Sequence, residues 1–161
     1  MLSAVILTWN SERYIARCVE SLLADAQRSA LPIEVFVVDG GSSDGTLALL
    51  ERMQAEKDGI NLIRLPRNRG TTLSRNLALR RCAGQYVLVL DSDTEVLPGA
   101  LAALIATTET SQSVGIACPR LLYADGSVQP SCMRFPTLGA KLLKPLPFSS
   151  AQRLARTQEL Y

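Results

Sequence analysis

Along this chain, unbroken apolar runs alternate with stretches in which apolar residues return every three or four positions. Ser3-Ala-Val-Ile-Leu-Thr8 is the first such run and stops at polar Asn10-Ser11, as a strand buried on both faces does. Tyr14, Ile15, Cys18, Val19, Leu22 and Leu23 then share one stripe, which predicts a sheet-covering helix from about Glu12 to Ala26. Ile33 to Val38 is the second predicted strand, ended by the small polar residues Asp39-Gly40-Gly41-Ser42-Ser43-Asp44-Gly45, which suit a turn. Ser43, or Ser42 or Asp44 beside it, is expected to cap the next helix, with Leu47, Leu50 and Met53 inward and Gly59 as its stop.

Ile60 to Arg64 reads as a third strand, followed by a basic loop from Pro66 to Thr72. Leu73, Leu77 and Ala78 mark the inner face of a helix closed by Gly84. The fourth strand, Tyr86 to Leu90, runs into Asp91-Ser92-Asp93-Thr94-Glu95. Pro98 fits the first turn of a further helix whose Leu101, Leu104 and Ile105 face inward. Val114 to Cys118 is expected to be a strand, and Ala124-Asp125-Gly126 between two β-like runs signals a hairpin. Beyond Phe135-Pro136 the chain becomes rich in Pro and Lys, and Ser150 to Leu160 is expected to be helical.

Strands alternating with helices predict an α/β fold: a Rossmann-like, mostly parallel sheet with helices on both faces. Residues 3–136 are assigned to it, and 137–161 to a tail leading toward an acceptor and catalytic-base segment. Ligands bind such sheets beyond the carboxyl ends of the strands, where strand order reverses. The clusters Thr8 to Asn10, Asp39 to Ser43 and Asp91 to Asp93 all follow strands, so they are expected to open onto one edge.

Composition narrows the chemistry. At 161 residues, 47% hydrophobic and 20% charged, the chain can bury one core, and a net charge of only +2 argues against a nucleic-acid binder. The absence of histidine removes Ser-His-Asp and Cys-His nucleophiles and imidazole zinc sites, leaving carboxylates, Lys, Tyr, Cys or a metal. Cys18, Cys82, Cys118 and Cys132 lack C-x-x-C spacing and read as buried reduced thiols. With no basic leader and no apolar stretch long enough to span a bilayer, the expected location is cytoplasmic, at or near the inner face of the membrane, with any anchor beyond this stretch.

Two carboxylates at Asp91 and Asp93, just past a buried strand, would be costly unless something positive is bound. A hard cation, Mg²⁺ or Mn²⁺, uses one or two carboxylates and is completed by phosphates and water. Asp39 at a strand end can accept from a base N–H or a ribose hydroxyl, or serve its own turn. Arg64, Arg67, Arg69 and Arg75 bracket a Gly-containing loop that leads into a helix, a suitable place for phosphate oxygens, with Arg75 the preferred contact. Trp9 and Tyr14 are expected to pack, Trp9 also being placed to stack on a base.

On these residues the chain resembles the inverting, GT-A-fold glycosyltransferases of family 2. Ser3 to Asn10 is similar to that family's opening strand, although Leu7 stands where proline is common. Val37-Val-Asp-Gly-Gly-Ser-Ser-Asp-Gly-Thr46 is similar to its nucleotide-binding signature, and Asn68-Arg-Gly70, Arg75-Asn76 and Ala83 to Asp93 resemble the segment leading to its D-x-D motif. The resemblance implies that Thr8 and Asp39 touch the nucleoside, Asp91 the ribose or metal, and Asp93 the metal. The expected nucleotide-binding set is Thr8, Asn10, Asp39, Ser42, Arg75, Asp91 and Ser92, with Asp91 and Asp93 on the metal. Asp125 to Ser131 and Arg134 to Thr137 resemble a subgroup that includes rhamnosyltransferase-like enzymes.

The implied reaction is transfer from a nucleoside-diphosphate sugar to a glycan or lipid-linked acceptor, in cell-surface polysaccharide synthesis. The family's base lies well downstream of the D-x-D, and Glu95, Glu109, Asp125 and Glu159 all fit it poorly, so the base is expected to be missing here. Two alternatives compete: a sugar nucleotidyltransferase, disfavoured because no Gly-rich loop follows the first strand, and a non-catalytic donor-binding domain. Self-association into a homodimer through the tail after Phe135 is also expected.

Overall fold

Four parallel strands form one sheet in the order β3-β2-β1-β4: β1 (Leu2–Thr8), β2 (Ile33–Asp39), β3 (Ile60–Arg64) and β4 (Tyr86–Asp91). Between and after them lie α1 (Ile15–Arg28), α2 (Thr46–Glu56), α3 (Thr71–Leu79) and α4 (Ala100–Glu109). This computed structural model describes residues 1–131, so the predicted Ser150 helix, Cys132 and Glu159 lie outside the described residues. The chain divides into two units, Met1–Ala117 and Cys118–Tyr161.

Alternation along the strands sorts two cores. Ala4 and Ile6 of β1, and Val35 and Val37 of β2, pack with Ile15, Val19 and Leu22 of α1, Leu50 and Met53 of α2, and Leu101 of α4. On the opposite face Val5, Phe36, Val38 and Ile63 meet Ala78 of α3. The central strands are apolar from Ala4 to Leu7 and from Val35 to Val38 because both faces are covered there, as their unbroken runs predict. At the β4 edge only one face is covered: Tyr86, Leu88 and Leu90 pack inward, while Val87 and Val89 are exposed.

Several expectations fail in instructive ways. Leu73 is exposed, because α3 turns Ser74 to the sheet beside the expected Ala78; these small residues let the helix lie close over β1 and β2. The helix ends at Leu79, and Gly84 serves a different purpose: a Cβ there would lie 2.6 Å from the Ser3 backbone nitrogen. Pro98 precedes α4, whose N-cap is Gly99. Val114 to Cys118 is not a strand, since nothing among the described residues pairs with it, and Ile116 and Cys118 are exposed. The second unit's described part does hold the expected hairpin, a Leu122–Val128 antiparallel bridge around Asp125-Gly126, with Tyr123 N–H donating to Ser127 O at 2.8 Å.

Gly41 holds the β2–α2 turn with φ +75°, and a Cβ there would lie 2.8 Å from the Arg67 Cα. Gly41→Ala therefore combines a left-handed backbone, costing about 1–2 kcal/mol, with a clash against main chain. Urea unfolding is expected to show at least that loss, and an unchanged midpoint would contradict the turn geometry.

Candidate functional site

The strand order reverses beside β1: β2 and β3 lie on one side and β4 on the other, so the carboxyl ends of β1 and β4 flank the switch point. Register sets Thr8 beside Asp39 and Leu7 beside Asp91. Here the chain leaves a cleft of about 440 Å³ lined by Thr8, Trp9, Asn10 and Tyr14 from the first loop, by Asn68 and Gly70, and by Asp91, Ser92 and Asp93.

The loops around the cleft are cross-stitched. Asn10, with φ 52°, accepts from Ser43 N–H at 2.8 Å through its side chain and donates its own N–H to Ser42 Oγ at 2.9 Å. Ser11 N–H reaches Thr46 Oγ1 at 2.8 Å, and Glu12 accepts from Gly45 N–H at 3.0 Å. The amides opening α2 are thus satisfied by Glu12 and by Asp44, which accepts from Thr46 N–H at 3.0 Å. Ser42 and Ser43 do not cap α2, because both are engaged with Asp39 and Asn10.

Asp39 is almost fully buried, and its carboxylate accepts from Gly41 N–H and Ser42 N–H, each at 3.0 Å, and from the Ser42 hydroxyl. Its turn role is therefore realised. Thr8 is also buried, at 4% exposure, yet its Oγ1 has no partner. An orphaned buried hydroxyl is costly, so its place on the cleft wall points to a ligand group that bonds it. Arg75 Nε is likewise buried and unpartnered.

The D-x-D segment departs from its sequence reading. Asp91 is not an unpaired charge behind a buried strand: its side chain is 75% exposed and lies 3.4 Å from Arg75 Nη2. β4 is an edge strand with one open face, so water solvates this carboxylate and the desolvation argument fails. Ser92 Oγ shares a hydrogen bond with Ser11 Oγ at 2.9 Å, and Asp93 is exposed in the cleft. Behind the segment, burial pushes the Cys18 thiol up to about 11, so it stays protonated and donates to Asp91 O at 3.6 Å.

No group of three or more His, Cys, Asp or Glu that could hold a metal occurs among the described residues. The donor set instead fits a cation that takes few protein ligands, with the exposed Asp93 carboxylate open and Asp91 shared with Arg75.

The other predicted cations scatter. Arg64 pairs with Glu51 at 3.2 Å, Arg67 backs Gly41, and Arg69 lines a separate groove with Leu65 and Leu73. Trp9 and Tyr14 are about half exposed and belong to neither core; Tyr14 is the N-cap of α1, with the Arg13 guanidinium 5.4 Å from its ring centre. Among the candidate bases, Glu95 pairs with Arg17 at 2.9 Å, Glu109 accepts from the Tyr86 hydroxyl at 2.7 Å, and Asp125 accepts from Ser127. Gly70, expected in a phosphate-suited loop, does line the cleft, whereas sequence reasoning gives no role to Asn68, nor to Glu12, whose partner lies 33 positions away.

A parallel sheet covered on both faces, with polar loops meeting where strand order reverses, defines the class: an α/β fold of the GT-A nucleotide-sugar transferase type. The chain belongs to glycosyl transferase family 2, whose model matches residues 3–155. It is 33% identical over 118 residues to the chondroitin synthase of Escherichia coli, covering 73% of this chain and 16% of that protein. Staphylococcus aureus TarS 1-349, in complex with UDP-GlcNAc, superposes with a TM-score of 0.60 at 27% identity, over 76% of this chain and 38% of that one. The mannosyltransferase PcManGT of Pyrobaculum calidifontis, in complex with GDP-Man and Mn²⁺, shares the fold at TM-score 0.55 and 24% identity, over 67% of this chain and 32% of that one. The chain thus spans less than two fifths of the length of these relatives. No helix among the described residues is long and apolar enough to cross a membrane.

Proposed function

We propose that this chain is the donor-binding part of an inverting glycosyltransferase, holding a nucleoside-diphosphate sugar with a divalent cation in the cleft at the β1/β4 switch point. The single observation that carries the reading is the buried, unpartnered Thr8 hydroxyl on the wall of a cleft that Asp91 and Asp93 also line. Thr8 and Asn10 bond the nucleoside, Trp9 offers a ring for the base, and Arg75 meets phosphate or base through its free Nε while orienting Asp91. Asp39 and Ser42 act chiefly by fixing the turn that carries Gly40 to the cleft. Asp93, with Asp91, would hold Mg²⁺ or Mn²⁺, which supplies charge neutralisation on the departing diphosphate. Uridine is the favoured nucleoside, because the TarS structure contains UDP-GlcNAc.

The acceptor is a glycan or lipid-linked hydroxyl in cell-surface polysaccharide synthesis at the cytoplasmic face of the membrane. Its base lies outside residues 1–131, a reading supported by the partners already held by Glu95, Glu109 and Asp125. Those same contacts favour a second reading, a donor-binding domain without catalysis. Sugar transfer by a longer form of the protein separates the two.

A thermal-shift panel of UDP, dTDP and GDP, each with and without Mn²⁺, tests the proposal. A ligand at about 100 times its Kd stabilises the folded state by about 2.7 kcal/mol, so UDP with Mn²⁺ is expected to raise the Tm clearly. If no diphosphate does so in a metal-dependent way, the proposal fails. Thr8→Val gives a sharper check. Removing an unpaired buried hydroxyl without changing shape should leave stability equal or higher, while UDP binding weakens by about fivefold to tenfold, one hydrogen bond's worth. Undiminished affinity would remove Thr8 from the site.

A further inference from the structure

Past Asp91 the chain leaves β4 and packs Val96 into the core on the α1 side of the sheet, and the segment to Gly99 has no strand register to fix it. Apart from a local turn in which Thr94 N–H donates to Asp91 O at 3.1 Å, its backbone is held from one helix. Cys18, Ser21 and Asp25 lie at i, i+3 and i+7 on α1, which places them on one stripe. Cys18 Sγ donates to Asp91 O at 3.6 Å; Val96 N–H donates to Ser21 Oγ at 3.0 Å, while that hydroxyl donates to Cys18 O at 3.0 Å. Gly99 N–H and Leu101 N–H donate to the two Asp25 oxygens at 2.6 and 2.9 Å. The anchors fall at 91, 96 and 99–101, bracketing Asp93.

We infer that this polar stripe of α1 is a positioning device for the donor site, and that Ser21 and Asp25 set where Asp93 presents its carboxylate. The inference rests on the donor-site reading above. Asp25 is 1% exposed and stands against the start of α4, where a carboxylate is favoured by the helix's positive end. Arg28, on the same helix at 3.4 Å, completes its partners. A charge buried only to cap α4 would leave Ser21 without purpose. Ser21 acts on Val96, midway between Asp93 and the cap, and belongs to the same stripe. Asp93 thus depends on α1 for its placement, whereas Thr8, the last residue of β1, is held by strand register against Asp39 of β2.

That difference separates positioning from general stability. On the full 161-residue chain, calorimetric titration with UDP, with and without Mn²⁺, is compared for wild type, Ser21→Ala, Ser21→Thr and Asp25→Asn. Ser21→Ala is expected to bind UDP without metal within about twofold of wild type but to lose about tenfold of the Mn²⁺ enhancement, in the range seen for groups that orient metal ligands. Ser21→Thr, which keeps the hydroxyl, should restore it. Asp25→Asn, with one oxygen replaced by an amide that cannot accept, should show the same selective loss. If it fails to fold, Ser21→Ala still decides. Equal weakening with and without metal, or an unchanged enhancement, overturns the inference. A wild-type protein with no Mn²⁺ enhancement overturns the donor-site reading itself and this inference with it.

Discussion

Asp93→Ala is expected to raise the Kd for UDP in the presence of Mn²⁺ by about 100-fold, close to 2.7 kcal/mol, while binding without metal stays within about twofold. The asymmetry follows from the site. Asp91 is shared with Arg75 and well exposed, so Asp93 is the carboxylate left open to a cation in the cleft. Because Asp93 is exposed and makes no hydrogen bond among those of the described residues, its loss should leave the melting temperature unchanged. Equal weakening in both conditions would move the cation elsewhere. Asp91→Asn should have a mixed effect, since it also frees Arg75.

The largest expected change in stability is at Leu22→Ala. Leu22 is fully buried in the core that joins α1 to the sheet, α2 and α4. Truncating it removes apolar contact and leaves a cavity, which costs about 2–5 kcal/mol depending on how far the surroundings collapse. Chemical denaturation should show this as a lower midpoint with an unchanged slope. The residue is also on the helix that anchors the Asp93 loop, so metal-dependent binding should suffer as α1 loosens. A loss below about 1 kcal/mol would mean that α1 is not seated as described.

What was legible in the sequence was whatever local pattern controls. The four strands fall within a residue or so of their apolar runs, because the central pair is covered on both faces between its ends. The α1 stripe is equally plain: Ile15, Cys18, Val19 and Leu22 are all buried. On α3, Ala78 faces inward as its spacing predicts, but close packing puts Ser74 against the sheet and leaves Leu73 exposed, which the hydrophobic period does not show. Val114 to Cys118 carries a strand's composition, but a strand needs a neighbour, and composition does not supply one.

In the site, the positions of Thr8, Asp39 and Asp91 at one sheet edge followed from strand order alone. Their partners did not. The Arg75–Asp91 pair spans 16 positions, and the Asn10–Ser43 and Glu12–Gly45 bonds span 33. Such contacts exist only once the sheet brings the loops together, and they decide which carboxylates are free. Asp39 was read first as a ligand contact, yet its turn occupies most of its acceptor capacity; Asp91 was read as unpaired and is paired.

In the proposed function the cleft binds a nucleoside diphosphate together with a divalent cation. Titration calorimetry of the chain with UDP, in excess Mn²⁺ and then in excess chelator, measures this directly. Binding about 100-fold tighter with Mn²⁺ is the predicted result. Equal affinity in the two conditions, or no binding in either, would contradict it.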